Sequence, residues 1–309
     1  MKILVTGATG YIGGSVAAKL LAAGHQIIGL TRSEEGASRL RAAGIEPLSG
    51  SLTSLRLLAE AARGVDAVVN AANSDDPFVV EAILPALEGT GKAFIQTSGS
   101  SIIADRGAGE ASDLVFHEDT PFKPLPERQG RLAVEQLVLS YGQRGVRSCV
   151  VRPTLIYGQG LGLHRHSIQV PRMLNLAIAK GKALHIGRGE NIWSHVHIED
   201  MANLYLLMLE KAPPGSLFYA ENGECSMRMI AAAISRVLGY GGGTESWPMD
   251  DALSEWGISA QATFASNSRV NAHKARKMLD WQPSGPALID DIENGSYREL
   301  LRAEGKLPG

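Results

Sequence analysis

A glycine-rich stretch near the start of the chain constrains the fold more than any other feature. Residues 3–14 read Ile-Leu-Val-Thr-Gly-Ala-Thr-Gly-Tyr-Ile-Gly-Gly, an apolar strand that runs into Gly7, Gly10 and Gly13. Glycines at this spacing permit a sharp turn, a close approach of backbone to a pyrophosphate, and tight packing of a helix on the strand. The pattern predicts a dinucleotide-binding turn, and an ordinary tight strand-to-helix turn is the alternative.

The residues after the glycines have helical spacing. Ile12, Val16 and Leu20 recur every four residues, and Gly24 is a candidate C-cap. An apolar strand resumes at residues 26–30. The glycines therefore stand at the N-terminus of a helix, which is where phosphates bind.

Short apolar runs alternate with helical stretches through the first half of the chain. This alternation predicts an α/β fold with a doubly wound parallel sheet. The loops after the strands open on the carboxyl edge of that sheet, where α/β proteins bind their ligands. The predicted strands lie at residues 3–6, 26–30, 67–70, 93–97 and 148–152.

Composition and charge exclude several classes of protein. With 30 Lys and Arg against 32 Asp and Glu the formal net charge is -2, and no basic block offers a track for nucleic acid. No apolar run approaches the ~20 residues that span a bilayer, and no charged leader precedes the first strand. The two cysteines, Cys149 and Cys225, indicate neither a disulfide framework nor a zinc cluster. We expect a soluble cytoplasmic protein, either a monomer or a homodimer, that binds neither nucleic acid nor membrane.

Several motifs together resemble the extended, epimerase/dehydratase-like branch of the short-chain dehydrogenase/reductases. The resemblance implies a Rossmann domain over residues 1–157, rejoined by a segment near 190–210, and a smaller, mainly substrate-binding portion over 158–309. It also implies a dinucleotide across the sheet edge and hydride transfer at nicotinamide C4 to or from a carbonyl or hydroxyl substrate. The matching pieces are residues 6–13, Asn70-Ala71-Ala72, residues 97–101, Arg152-Pro153 leading to Tyr157-Gly158, and residues 197–202.

The glycine motif, the strand ends and the resemblance together predict which residues contact the cofactor. They are Gly7, Thr9, Gly10, Tyr11, Ile12, Gly13, Thr31, Arg32, Ser33, Ala71, Ala72, Thr97, Ser98, Arg131 and Pro153.

One departure from the family pattern affects the chemistry. The family usually carries a Tyr-x-x-x-Lys pair, but none of the seven tyrosines here precedes a lysine by four residues. Alignment on the segment 132–135 puts Glu127 and Arg131 at those two positions. An ionised glutamate has no proton to donate, so we expect an i,i+4 ion pair on a helix surface, with a substitute acid as the alternative. Arg131 can still hydrogen-bond a ribose hydroxyl.

Other side chains could handle a proton in place of the tyrosine. Ser98, Ser100 and Ser101 lie where the resemblance places a substrate-polarising serine, and Ser100 and Ser101 are the predicted catalytic residues. A polar turn beside the cofactor is the alternative for each of them. Tyr157 and the histidines of the presumed substrate region are further candidates.

The histidines form two pairs of different character. His195 and His197 have strand spacing that could serve a metal, but no third ligand accompanies them. We therefore expect hydrogen-bonded histidines on a half-buried strand and no metal site. His164 and His166, beside glycines, are predicted to belong to a mobile loop over the site.

The tip of the second strand bears on the choice of nicotinamide. An acid that binds the ribose of NAD is expected ~20 residues past the glycine motif, but the chain reads Thr31-Arg32-Ser33 there. A guanidinium can pair with the 2′-phosphate of NADP, so we predict NADP(H). NAD(H) stays open if Glu34 or Glu35 takes the position of the acid, and a solvated surface arginine is the alternative for Arg32.

The predicted function is that of an NADP(H)-dependent oxidoreductase acting on a small carbonyl or hydroxyl substrate. A non-catalytic protein that senses dinucleotide or binds a partner is a second hypothesis, since it would have no need of the missing tyrosine. A nucleotide-sugar epimerase or dehydratase is a third hypothesis, and it suffers most from the loss because those enzymes both remove and return protons.

Overall fold

The computed structural model describes residues 1–307, which form a parallel sheet with helices on both faces and a smaller portion at its carboxyl edge. The strands are Lys2–Thr6 (β1), Gln26–Thr31 (β2), Glu46–Ser49 (β3), Ala67–Asn70 (β4), Ala93–Thr97 (β5), Arg147–Pro153 (β6), Leu155–Tyr157 (β7), Ala183–Ile186 (β8), Ile192–His197 (β9), Ser216–Ala220 (β10), Glu224–Ser226 (β11) and Thr244–Trp247 (β12).

Several helices begin at residues whose side chains accept a backbone N–H. Ser33, Asp76 and Ser226 do so at the starts of the second, fourth and eighth helices. The helices are Tyr11–Ala22 (α1), Glu34–Ala42 (α2), Leu55–Arg63 (α3), Pro77–Leu87 (α4), Gln129–Ser140 (α5), Gln169–Lys180 (α6), Ile198–Lys211 (α7), Met227–Val237 (α8), Met249–Trp256 (α9), His273–Leu279 (α10), Leu288–Glu293 (α11) and Ser296–Ala303 (α12).

The large sheet has seven strands in the order β10-β6-β5-β4-β1-β2-β3, and every neighbouring pair is parallel. The chain starts at β1 in the interior, proceeds outward to β3, and then crosses to β4 on the other side of β1. This reversal opens a crevice at the carboxyl ends of β1 and β4, where doubly wound proteins bind ligands. The predicted α/β doubly wound fold is confirmed.

Buried apolar side chains cover both faces of this sheet. On one face Val16 of α1 and Met201 of α7 belong to the same buried cluster as Ile3 and Val5 of β1. On the other face Leu58 of α3, Ile83 of α4 and Val138 of α5 pack in a second cluster. Burial of both faces explains why the inner strands are continuous apolar runs.

The second half of the chain contributes to both parts of the molecule. α7 packs on α1, and β10 forms the edge of the large sheet, so residues 198–220 lie with the Rossmann half. The remaining strands make a three-stranded sheet, β11-β9-β7, and a two-stranded sheet, β12-β8. Nowhere in residues 1–307 is there a helix long and apolar enough to cross a membrane.

Candidate functional site

The turn after β1 depends on glycine at two places. Gly7 has a φ of +74°, and a Cβ on it would lie 2.8 Å from the carbonyl oxygen of Ala71 after β4. A Cβ on Gly13 would lie 2.4 Å from the carbonyl oxygen of Gly7. The ends of β1 and β4 and the first turn of α1 therefore approach each other at distances that a side chain would prevent.

The N-terminus of α1 is open to a ligand. Its N-cap residue, Gly10, offers no side-chain cap, and the first turn carries no acidic residue. A Cβ on Gly10 would meet only the carbonyl oxygen of Gly7, at 3.3 Å, so this glycine borders open space. Unpaired N–H groups at the positive end of a helix bind anions, so the cradle fits a phosphate-bearing dinucleotide.

A cavity of about 820 Å³ extends from this helix start across the sheet edge. Among the described residues, none that lines it carries a carboxylate, and the one guanidinium there belongs to Arg32. The predicted cofactor contacts that line it are Gly7, Thr9, Gly10, Tyr11, Ile12, Gly13, Thr31, Arg32, Ala71 and Ala72.

Two further loops line the cavity. The loop after β3 is not predicted from the sequence, whereas the loop after β7 carries His164 and His166, which are predicted to lie over the site. β3 is an edge strand with Pro47 inside it, so it lacks the apolar run that predicts β1, β2, β4, β5 and β6. The additional lining residues are Leu30, Ser51, Leu52, Thr53, His164, His166 and Ile168.

Several predicted cofactor residues have side chains engaged elsewhere. Ser33 Oγ accepts a hydrogen bond from the amide of Gly36 at 3.1 Å and so caps α2. Thr97 Oγ1 is hydrogen-bonded to the hydroxyl of the buried Tyr205 at 2.6 Å. Pro153 is buried at the end of β6.

A buried polar network closes the sheet edge beside the predicted catalytic serines. Arg152 and Glu135, which are 3% and 1% exposed, form a bidentate ion pair with Nε–Oε1 and Nη2–Oε2 distances of 2.9 and 2.5 Å. Burial alone would lower the pKa of Arg152, but the hydrogen bonds to Glu135 outweigh it and raise that pKa. Ser98 donates its hydroxyl hydrogen to Glu135, and Arg152 Nη1 donates to the Tyr219 hydroxyl at 2.9 Å. Ser98 is therefore committed to this network.

Ser101 has a different set of partners. Arg131 Nη1 donates a hydrogen bond to Ser101 Oγ at 2.8 Å, while Arg131 Nε and Nη2 donate to the two carboxylate oxygens of Asp75 at 2.8 and 2.7 Å. The hydrogen bond from Arg131 lowers the pKa of Asp75, so the carboxylate is ionised. Because Ser101 Oγ accepts from Arg131, its own O–H remains available for a ligand. Ser100, by contrast, is 1% exposed, and its Oγ lies 2.9 Å from Ser268 Oγ.

The expected ion pair between Glu127 and Arg131 is wrong. α5 begins at Gln129, and Glu127 lies before it in a 3₁₀ turn, so the helical i,i+4 geometry does not hold. Glu127 instead pairs with Arg106 at 3.2 Å. A hydrogen bond from its own backbone amide, and secondarily Arg106, lower the pKa of this exposed carboxylate. It is ionised at neutral pH and has no proton to donate.

Tyr157, His195 and His197 are buried, whereas His164 and His166 are exposed. Tyr157 donates to the carbonyl oxygen of Pro286 at 2.7 Å, and burial raises its pKa well above the ordinary value. Its ring packs edge-on against His195 and His197 on β9, which is buried rather than half-buried. Burial lowers the pKa of His195 to about 4. We expected a hydrogen-bonded ring, but the Nδ1 atom of His195 has no hydrogen-bond partner within residues 1–307.

A second cavity, of about 240 Å³, is lined by Ile103, which lies two residues after Ser101 in the chain. Ile103, Leu114 and Phe116 give it apolar walls, and Lys123 and Arg269 bring two cationic side chains. It is a candidate for the substrate-binding space that the resemblance implies next to the nicotinamide.

Comparisons with known proteins bear on this site. A profile of the NAD dependent epimerase/dehydratase family matches residues 3–219. The oxidase ucsJ of Acremonium sp is 30% identical over 335 residues, covering 94% of this chain and 95% of that protein. The 4-hydroxy-2-methyl-3-oxo-4-farnesyl-3,4-dihydroquinoline-1-oxide ketoreductase of Stigmatella aurantiaca is 26% identical over 235 residues, covering 72% of this chain and 69% of that protein.

Among solved structures, MoeE5 in complex with UDP-glucose and NAD shares the fold of this chain. The two align with a TM-score of 0.76 and 18% identity, over 98% of this chain and 99% of that one.

Proposed function

This chain belongs to the NAD dependent epimerase/dehydratase family, and from that premise we propose that it is an NADP(H)-dependent oxidoreductase acting on a small carbonyl or hydroxyl substrate. The observation that carries the proposal is the hydroxyl of Ser101, held by Arg131 with its O–H unused at the carboxyl edge of the sheet. Two relatives, named an oxidase and a ketoreductase, are consistent with oxidoreductase chemistry.

The preference for NADP(H) rests on the charges that line the large cavity. Thr31, the last residue of β2, and Arg32 after it border the cavity, where a hydroxyl and a guanidinium can bind a 2′-phosphate. NAD recognition uses a carboxylate at this place. Glu34 and Glu35 fall within α2, and Glu34 is paired with Arg41 at 2.8 Å, so neither lines the cavity.

Ser101 supplies the proton in this proposal. When bound, the reduced nicotinamide supplies a hydride to the carbonyl carbon of the substrate. Ser101 donates its O–H to the carbonyl oxygen and transfers the proton as negative charge develops there, and water on the exposed side of Ser101 returns a proton to Oγ. The adjacent guanidinium of Arg131 stabilises the negative charge that Ser101 Oγ takes on. Asp75 holds that guanidinium in place.

The test is NADPH consumption with a panel of carbonyl compounds, together with the dissociation constant for NADPH. Removal of a hydrogen-bond donor to a developing oxyanion costs about 10²- to 10³-fold in kcat, so we expect Ser101→Ala to lose at least about 100-fold. Its NADPH affinity should not change. Ser101→Thr keeps the hydroxyl and should retain most of the turnover, while Ser100→Ala serves as the matched control.

Full turnover by Ser101→Ala would refute the assigned role of this serine. Tight NADPH binding without consumption of any carbonyl compound would favour the second hypothesis, a dinucleotide-sensing protein. One observation supports that alternative, since Glu127, at the position of the family tyrosine, faces solvent as an ionised carboxylate.

A further inference from the structure

The loop of residues 158–168, between β7 and α6, is tied to the nucleotide-binding half of the molecule. The Tyr11 hydroxyl of α1 donates to the carbonyl oxygen of Gly158 at 2.8 Å, and the amide of Leu161 donates to Ser15 Oγ at 3.1 Å. Arg39 of α2 donates from Nη2 to the carbonyl oxygen of Leu163 at 2.9 Å. The loop therefore spans from α1 to α2.

Backbone packing fixes the same segment more closely still. A Cβ on Gly162 would lie 2.4 Å from the carbonyl carbon of Gly14 in α1, so loop and helix touch through their backbones. The loop also closes on itself, because the amide of Gly160 donates to the carbonyl oxygen of Arg165 at 2.9 Å. Ser167 Oγ is hydrogen-bonded to the hydroxyl of Tyr297 at 2.8 Å. Together these contacts determine where the side chains between Leu163 and Ser167 lie.

Two imidazoles are brought to the large cavity by this anchoring. His164 and His166 both line it, with their ring centroids 6.1 Å apart, and Arg32 lines the same cavity from the end of β2. Both histidines are exposed. They share the cavity with the open N-terminus of α1 at Gly10. No described lining residue adds negative charge, so every ionisable or polar group around the cavity suits an anion.

We propose that His164 and His166 bind a phosphate group of the nucleotide, from the side opposite the glycine turn. The inference rests on the proposed function, because it takes a nicotinamide dinucleotide as the occupant of the cavity. A phosphate in this place can be the ribose 2′-phosphate or the pyrophosphate. In both cases the histidines donate N–H groups to it and form, with Arg32, a clamp closed by the second half of the chain.

The experiment uses two small probes: 2′,5′-ADP has the 2′-phosphate and a single 5′-phosphate but no pyrophosphate, and 5′-ADP has the pyrophosphate but no 2′-phosphate. The full-length protein and the double variant His164→Ala/His166→Ala are titrated calorimetrically with 2′,5′-ADP and with 5′-ADP. His273→Ala, in the exposed first residue of α10, is the matched control because it removes an imidazole that does not line the cavity. Thermal unfolding of the variants checks that the fold is unaltered.

Loss of hydrogen bonds to a charged group predicts that the double variant binds a probe at least about tenfold more weakly. A loss confined to 2′,5′-ADP assigns the histidines to the 2′-phosphate, and a loss with 5′-ADP assigns them to the pyrophosphate. Unchanged affinities in the double variant, when the unaltered protein binds the probes, would overturn this inference alone. If the unaltered protein binds neither probe, both the inference and the proposed function fall.

Discussion

The two ends of the crevice are built in different ways. At the glycine turn, backbone forms the site: Gly10 leaves the N-terminus of α1 uncapped, and no acidic side chain fills the space in front of it. The other end, at Ser98 and Ser101, is called the serine edge. Side chains form the site there, and most of them are already paired, as Glu135 is with both Arg152 and Ser98. The 158–168 loop lines the first end.

In the proposed function this difference separates the end that selects the nucleotide from the end that carries the chemistry. A backbone cradle needs only glycine and a helix start, so the sequence of the nucleotide end is simple and easily recognised. A side-chain site depends on which groups remain unpaired after folding. At the serine edge the unused donor is the hydroxyl of Ser101, whereas Ser98 is consumed by the buried ion pair.

The largest expected effect is a loss of stability from a change at the serine edge that leaves the glycine turn unaltered. Glu135→Ala leaves the guanidinium of Arg152 buried without its carboxylate partner and with only the Tyr219 hydroxyl as a neutral one, which costs about 3–5 kcal/mol of unfolding free energy. Chemical denaturation measures the loss. Glu88→Ala is the control, because Glu88 forms a similarly bidentate pair with Arg144 that is exposed and screened by solvent, so its loss should change stability far less. Equal losses in the two variants would show that the buried network has no special weight.

The second effect breaks the glycine turn and leaves the serine edge intact. Gly13→Ala places a Cβ 2.4 Å from the carbonyl oxygen of Gly7 and forces the turn away from the helix. We expect NADPH affinity to fall at least about 100-fold, which is about 2.7 kcal/mol. Gly243→Ala is the control, because a Cβ there meets nothing within 4 Å. NADPH binding unchanged in Gly13→Ala would refute the cradle.

The third expected effect concerns the histidines, which are buried in β9 and exposed in the loop of residues 158–168. His195 has a folded-state pKa of about 4, below the ordinary value of 6.5. The unfolded chain therefore takes up a proton that the folded chain does not, and stability is lost as the pH falls from about 6.5 towards 4. At pH 5 this loss is about 2 kcal/mol relative to neutral pH. The denaturation midpoint should change less with pH in His195→Leu than in the unaltered protein. The same change with pH in both proteins would rule out His195 as the cause.

The smallest expected effect is on nucleotide affinity at the other end of the crevice. Arg32→Ala removes the one guanidinium that lines the large cavity in the described residues. We expect NADPH affinity to fall about tenfold, or about 1.4 kcal/mol, because a charge-assisted contact with the 2′-phosphate is lost. Affinity for NADH should stay nearly constant. Equal weakening of both nucleotides would remove the basis for the NADP(H) assignment.

Features with a strong local pattern, such as buried strands and the glycine turn, could be predicted from the sequence. The strands at 67–70 and 93–97 were predicted with the bounds that the structure has, because buried parallel strands are continuous apolar runs. The first turn of α1 was equally readable from its glycines. β3 was missed because it is a short, partly polar edge strand. For this reason the cavity wall at residues 51–53, in the loop after β3, was not predicted either.

The pairings at the serine edge could not be predicted from spacing. Arg131 lies four residues after Glu127, but its partner Asp75 comes from the loop after β4, 56 residues away in the chain. Likewise, nothing in the local pattern of His164 and His166 indicates that Arg39 and Gly14 hold their loop over the nucleotide end. Local periodicity predicts elements, whereas these contacts depend on how the elements are placed in the fold.

The central claim is that this crevice binds a nicotinamide dinucleotide and prefers the one with a 2′-phosphate. The most direct test is a pair of equilibrium titrations of the purified protein with NADPH and with NADH, followed by binding heat. We predict saturable NADPH binding in the micromolar range and much weaker NADH binding. Absence of saturable binding for both nucleotides would contradict the account before any substrate is tried.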